Sequence, residues 1–352
     1  MANSLNKRQE QILTFLGAAT VSVAVSEIFT YLQDKNLVAV SRMTVNRDLR
    51  GLKARNYIEQ LGSGRGATYF QTPEYKAARP INVEEYFAVD PDKRKIQKSF
   101  NFDIFSLLGR IFTPTELGVL EKLNVNYLQK LRKLSPAALK KEYERLVIEL
   151  SWKSSKIEGN TYSLLETEFL LRERIEPKGH TREETTMILN HKIALDYIRK
   201  HASRFKKLDL RDIENVHGLL INGLNVKKNI RQGLVRISGT AYRPLDNKFQ
   251  IREAVEKMCA LVNKQKNPFT KSMIAMIMIS YIQPFEDGNK RASRLIGDAL
   301  LLAYAACPLS FRSIDELEYK KAILLFYEQN NFKYFKDLFI GQFKFTVENY
   351  FG

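Results

Sequence analysis

Gln283-Pro284-Phe285-Glu286-Asp287-Gly288-Asn289-Lys290-Arg291-Ala292-Ser293-Arg294 follows an uncharged apolar run, Ser272 to Ile282, and opens a second apolar segment that reaches Ala305. The pattern predicts helix, turn, helix. Gly288 supplies a residue free to take positive φ, and the N–H groups from Asn289 onward then point from a helix start toward any anion in front of them. Arg291 and Arg294 are three apart and project from one side of that helix, where two guanidinium forks can grip β- and γ-phosphate oxygens. Asp287 is the natural carboxylate for a magnesium ion bridging those phosphates. The alternative is an ordinary loop ahead of a core helix.

Two segments further upstream bear on this reading. Ser135-Pro136 and the residues to Gly159 read as a helix with Ser135 as N-cap, Pro136 at the first helical position and Gly159 just past the end. In its last turn Ser154 and Glu158 are four apart on one face. Gly233-Leu234-Val235-Arg236-Ile237-Ser238-Gly239-Thr240-Ala241-Tyr242-Arg243-Pro244 is β-branched, punctuated by glycine and bounded by proline, which predicts a short hairpin in a helical region.

The 283–294 string resembles the Fic (Fido) family motif HPFxDGNGRxxR, with two departures. The resemblance implies a mainly α fold with a Fic-type helical core and a small β-hairpin flap. It also implies ATP and Mg2+ as cofactors, and a protein target whose Ser, Thr or Tyr hydroxyl attacks the α-phosphate and is AMPylated. The catalytic positions it assigns are Gln283, Asp287, Asn289 and Arg291; Gly288, Asn289, Lys290, Arg291 and Arg294 would hold the nucleotide, and Asp287 the metal. The leading residue in the family is a His acting as general base. Here it is Gln283, whose amide has no basic lone pair near neutral pH, and losing a positioned base costs on the order of 10²–10⁴ in rate. Lys290 replaces the usual Gly and puts a cation inside the anion nest, which leaves the nucleotide's orientation open. Ser154-Ser155-Lys156-Ile157-Glu158-Gly159 resembles the family's inhibitory [ST]xxxE[GN] motif, so Ser154, Glu158 and Gly159 would form a plug with a bidentate Glu158–Arg294 pair. Ile237, Ser238, Gly239 and Thr240 would be the flap that holds a target backbone by strand addition.

The N-terminal segment has its own pattern. Leu5 to Leu16, Val25 to Leu32 and a stretch capped by Ser41 read as three helices; Tyr57 to Leu61 and Ala67 to Phe70 read as strands joined by the glycine-rich 62–66 turn. This order predicts an α+β winged helix-turn-helix, and SRMTVNRDLRGLKARNYIEQLGSGRGATYF resembles repressor-type versions. Arg42, Thr44, Asn46 and Arg47 would then meet DNA from the third helix and Arg65 from the wing. Protein docking is the alternative use of such a module.

With 352 residues, 44% apolar and 27% charged, the chain suits a globular protein of two or three domains. Four divisions are expected: a winged helix domain at 1–78, a linker and helical lead-in at 79–134, a Fic domain at 135–340 with the inhibitory helix at 135–159, and a C-terminal packing segment at 341–352. The formal charge of +17 is spread out, with 11 basic against 6 acidic residues in 1–80, 12 against 10 in 81–150 and 33 against 23 in 151–352. Charge alone therefore does not point to nucleic acid. Ser272 to Ile282 is too short to span a bilayer, the polar start lacks a secretory apolar segment, and Cys259 and Cys307 sit in apolar contexts, so no membrane partner and a cytoplasmic location are expected. A homodimer stays open. The readings carried forward are a slow, autoinhibited AMP transferase and, alternatively, an inactive nucleotide-sensing DNA-binding regulator. Kinase-like transfer favoured by Lys290 is a third.

Overall fold

The computed structural model describes residues 5–19, 21–35 and 41–351, and only the backbone of Arg65. Two compact units divide at Pro80.

The first unit holds α1 (Lys7–Ala18), β1 (Val23–Ala24), α2 (Val25–Asp34), α3 (Arg42–Ala54), β2 (Ile58–Leu61), β3 (Thr68–Gln71) and α4 (Pro73–Ala78). The strands form an antiparallel sheet in the order β1-β3-β2, with Ile58 opposite Gln71 and Leu61 opposite Thr68. Ser41 caps α3 as expected, its hydroxyl accepting from Thr44 N at 3.2 Å. Ile12, Leu16, Ile28, Leu32, Val45, Leu49, Leu52 and Ile58 make one buried core. Burying such aliphatic side chains contributes roughly 1.5–3 kcal/mol apiece before chain entropy is subtracted. Asp48 is the buried carboxylate of the unit and pairs with Arg8.

The second unit contains α5 (Val83–Ala88), α6 (Ile104–Leu107), α7 (Pro114–Lys133), α8 (Pro136–Ile157), α9 (Leu164–Glu173), α10 (Arg182–Lys200), α11 (Leu210–Leu220), α12 (Lys248–Lys264), α13 (Pro268–Ile282), α14 (Asn289–Ala303), α15 (Glu316–Gln329) and α16 (Lys333–Asn349). α13 is apolar on every side and every residue of it after Pro268 is buried, which makes it the central rod against which α12, α14 and α15 pack. α14 lies so close to it that a Cβ on Gly297 would fall 2.0 Å from Met276 Cε. A side chain at 297 would have to displace Met276 between the two helices that flank the 283–288 turn.

Two expectations change on inspection of this unit. In the helical lead-in, Phe102 to Phe112 holds only α6 and a short 3-10 turn at Leu108–Arg110. Lys333 to Asn349 is one helix, so position 340 is no structural break, and Phe335, Phe339 and Phe343 bury against the core. The 233–244 segment keeps its turn at Ser238–Gly239, with Gly239 at φ 83°, but its arms are not paired as strands. Their polar groups are used elsewhere: Arg243 N donates to Lys98 O at 2.8 Å, and the Arg231 guanidinium takes Gly233 O and Leu245 O. The small antiparallel sheet of this mainly helical chain therefore lies in the first unit.

Cys259 and Cys307 are both buried and unpaired. Among the described residues no helix is long and apolar enough to cross a membrane.

Candidate nucleotide site

α13 ends at Gln283, which takes the left-handed conformation (φ 52°) and donates its N–H to Ile279 O at 3.1 Å. Pro284 cannot continue the helix, and the chain turns. Asn289 closes the turn from the far side: its Oδ1 accepts from Phe285 N at 2.9 Å, and its Nδ2 donates to Phe285 O at 2.8 Å and to Gln283 Oε1 at 3.0 Å. Gly288 is needed twice over. Its φ is 80°, and a Cβ there would lie 3.3 Å from the His217 ring. That ring stacks on Phe285, centroids 3.6 Å apart, and Nε2–H donates to Asp287 O at 2.8 Å. Burial lowers the His217 pKa, so a neutral imidazole pins the turn from behind.

The Gln283 amide faces inward. Nε2 donates to Ser280 O at 2.6 Å and to Tyr327 Oη at 3.1 Å, while Oε1 takes the Asn289 donor. The reverse orientation would set an amide oxygen against a carbonyl and an NH2 against another NH2, so the network fixes this one.

Arg294 is wholly buried. Its Nε donates to Ser154 Oγ at 2.9 Å, and Nη2 donates to Ser154 O at 2.8 Å and to Glu158 Oε1 at 2.9 Å. The expected bidentate pair is thus a single contact. The second carboxylate oxygen of Glu158 turns instead to Lys290 Nζ at 3.7 Å, while Nε and Nη2 of the guanidinium also serve Ser154. Burial alone would raise the Glu158 pKa, but the nearby Arg294, Lys290 and Arg291 outweigh it and hold the carboxyl below the usual carboxylate range. Glu158 caps the C-terminus of α8, and Gly159 follows at φ 99°.

Arg291 is buried and donates Nη2 to Asp287 Oδ2 at 3.1 Å, whereas the Asp287 side chain is 67% exposed. Arg291 Nη1 and Arg294 Nη1 are buried donors with no partner. A carboxylate open to solvent beside unsatisfied guanidinium N–H groups suits a magnesium-bound phosphate chain, and Asp287 would be the residue to hold the ion. When bound, the ion would neutralise phosphate charge.

Glu158, Gln283, Asp287, Gly288, Asn289 and Lys290 line one cleft of about 360 Å³, together with Ile237 and Ser238 of the predicted flap. Gly239 and Thr240 are not part of that lining; Thr240 lines a separate 380 Å³ cleft beside Asp92. Arg291 and Arg294 lie in the helix behind the cleft. Sequence reading missed the wall made by Tyr319, Ile323 and Tyr327 of α15. Their i, i+4 spacing was visible, but α15 buries side chains over most of its length and periodicity could not tell which face meets a ligand. Glu286 also reaches the cleft and pairs with Lys227 at 3.4 Å. No histidine is among the cleft's described lining residues. In the first unit Arg42 and Arg47 are exposed, Arg42 over the Phe29 ring at 5.8 Å, while Thr44 and Asn46 are half-buried. The Arg65 side chain lies outside the described residues.

Residues 207–301, which include the whole 283–294 turn, match the Fic/DOC family. Those residues are similar to a Fic/DOC domain. Protein adenylyltransferase Fic from Drosophila ananassae is 25% identical over 171 residues, 48% of this chain and 34% of that protein. The Drosophila melanogaster protein of the same name is 27% identical over 173 residues, 48% of this chain and 35% of that one. The matched region thus spans about a third of these curated relatives. Among solved structures, Fic-1 from C. elegans aligns over 97% of this chain and 95% of its own with TM-score 0.59 at 12% identity. A Fic domain containing signaling protein from Bacteroides thetaiotaomicron aligns over 65% and 94% with TM-score 0.57 at 18% identity. At these identities the structural likeness gives the Fic fold.

Proposed function

We propose that the Fic/DOC domain binds ATP with magnesium on the 283–294 turn, as a protein adenylyltransferase would, and that α8 keeps it autoinhibited through Glu158. The observation that carries this reading is Arg294: a buried guanidinium whose Nη1 has no hydrogen-bond partner, held by Ser154 and Glu158 where a γ-phosphate would otherwise sit. An acidic plug on that group opposes a triphosphate by both occupancy and charge. Similarity to proteins named adenylyltransferases supports a protein hydroxyl as acceptor. The test is uptake of Mg·ATP by equilibrium dialysis in the Glu158→Gly chain. No uptake there would remove every nucleotide-dependent role.

One observation favours a second reading. The amide at the base position is engaged on both its nitrogen and its oxygen, and no imidazole stands in for it, so the domain is suited to sensing a nucleotide while the first unit binds DNA. That unit has the helix and strand order of a winged helix-turn-helix, with Arg42 and Arg47 exposed on its capped third helix. Incubation with α-labelled ATP separates the two. Label on protein in the unaltered chain supports an enzyme, label only after Gln283→His supports a sensor, and γ-label without α-label supports kinase-like transfer. For the DNA role, Arg47→Ala should abolish specific binding, and loss of a phosphate contact should make the log–log salt slope shallower by about one. A full-length chain with no preference among duplexes would leave protein docking as the use of this unit.

A further inference from the structure

The 233–244 loop is held at its tip by a residue from the segment that leads into the core. Arg94 Nη1 lies 3.0 Å from both Glu328 carboxylate oxygens, and Nη2 donates to Gly239 O at 3.2 Å. Both side chains are almost fully buried, at 5% and 0% exposure. Around them the node is closely built: Tyr86 Oη donates to Glu328 Oε2 at 2.6 Å, Arg94 Nε donates to Val89 O at 3.0 Å, and the guanidinium lies 5.0 Å from the Phe87 ring centre. Glu328 neutralises the cation, which leaves Nη2 free to serve a backbone carbonyl at a turn. Gly239 is the left-handed residue of that turn, and Ser238 beside it lines the nucleotide cleft. Downstream, Lys98 O receives Arg243 N at 2.8 Å, so the same segment also fixes the returning arm.

We propose that Arg94 is a positioning residue for this loop, setting the height of Ser238 over the phosphate turn through Gly239 O. The functional consequence rests on the reading of the loop as the seat of a target backbone; the positioning itself does not. Without a strand ladder of its own, a loop of this kind keeps its shape only through such tethers.

Hydrogen exchange by mass spectrometry on the full-length chain tests it with two variants. Arg94→Ala leaves Glu328 buried and uncompensated and lowers Tm. The double change Arg94→Met/Glu328→Leu replaces the pair by apolar side chains of similar volume, which should recover most of that Tm. Amides of 234–242 should exchange roughly tenfold faster in both variants, while those of α14 keep their protection in the double. Slow exchange across 234–242 in the double, or equal loosening of α14, would overturn the proposal. In a Gln283→His/Glu158→Gly background the double change should also lower the initial rate of α-label transfer without altering the Mg·ATP Kd. An unchanged rate there would count against positioning. Absence of transfer in that background itself would count against the transferase reading and leave the exchange result standing.

Discussion

Arg294 and Gln283 stand at opposite ends of one turn, and each is engaged by its neighbours in a different way. Arg294 is held by another element: Ser154 lies in the last turn of α8 and Glu158 caps it, so a movement of α8 would free the guanidinium for the proposed phosphate. Gln283 is held by its own turn and by Tyr327 of α15, and freeing it would expose an amide, which cannot accept a proton at neutral pH. On the proposed reading the plug would be reversible by conformation, and the missing base only by mutation. A chain can therefore lose transfer and keep a switchable nucleotide site, and the two ends need separate experiments.

The largest effect should come from Gln283→His in a Glu158→Gly background, where α-label incorporation is expected to rise on the order of 10²–10⁴-fold. The left-handed backbone at 283 is one that His tolerates better than most residues. No rise, with Mg·ATP bound, would mean that the turn does not present the α-phosphate to an acceptor. Next, Glu158→Gly alone should tighten Mg·ATP by about 5–150-fold in calorimetry, the usual range of a coupling between two sites, and Arg294→Ala should weaken it. Unchanged affinity in both would break the comparison at its plugged end. A smaller gain, roughly fivefold or less, is expected from Lys290→Ala, because its 3.7 Å contact with Glu158 is partly exposed. Weaker binding instead would place Lys290 on the phosphates.

The smallest expected effect is none. The Glu158 pKa in the folded chain is depressed, so its contribution is fully present above the ordinary carboxylate pKa and is lost only as pH falls through the lowered folded value. The ratio of Mg·ATP affinities between Glu158→Gln and the unaltered chain should therefore stay flat from about pH 6 to 8. A ratio that collapses within that window would mean that some group other than Glu158 controls access to Arg294.

The local sequence determined much of this protein, because helix ends and turns are decided by residues a few positions apart. Ser41, Ser135, Pro136, Gly159, Gly288 and the Arg291–Arg294 spacing each place a boundary or a charge that the structure has in that place. The departure at Gln283 was legible for the same reason: one side chain type lacks the chemistry that another has. Tertiary structure alone decided which oxygen of Glu158 meets Arg294, that Lys290 takes the other, and that Asn289 and Tyr327 lock the amide inward. It alone decided that Tyr319, Ile323 and Tyr327 wall the cleft, and that Arg94 and Arg231 replace a strand ladder in holding the 233–244 loop. Those contacts join residues up to 145 positions apart, as Arg94 joins Gly239. Packing around α13 brings such partners together, and no local pattern of charge or hydropathy encodes which of many similar side chains will meet.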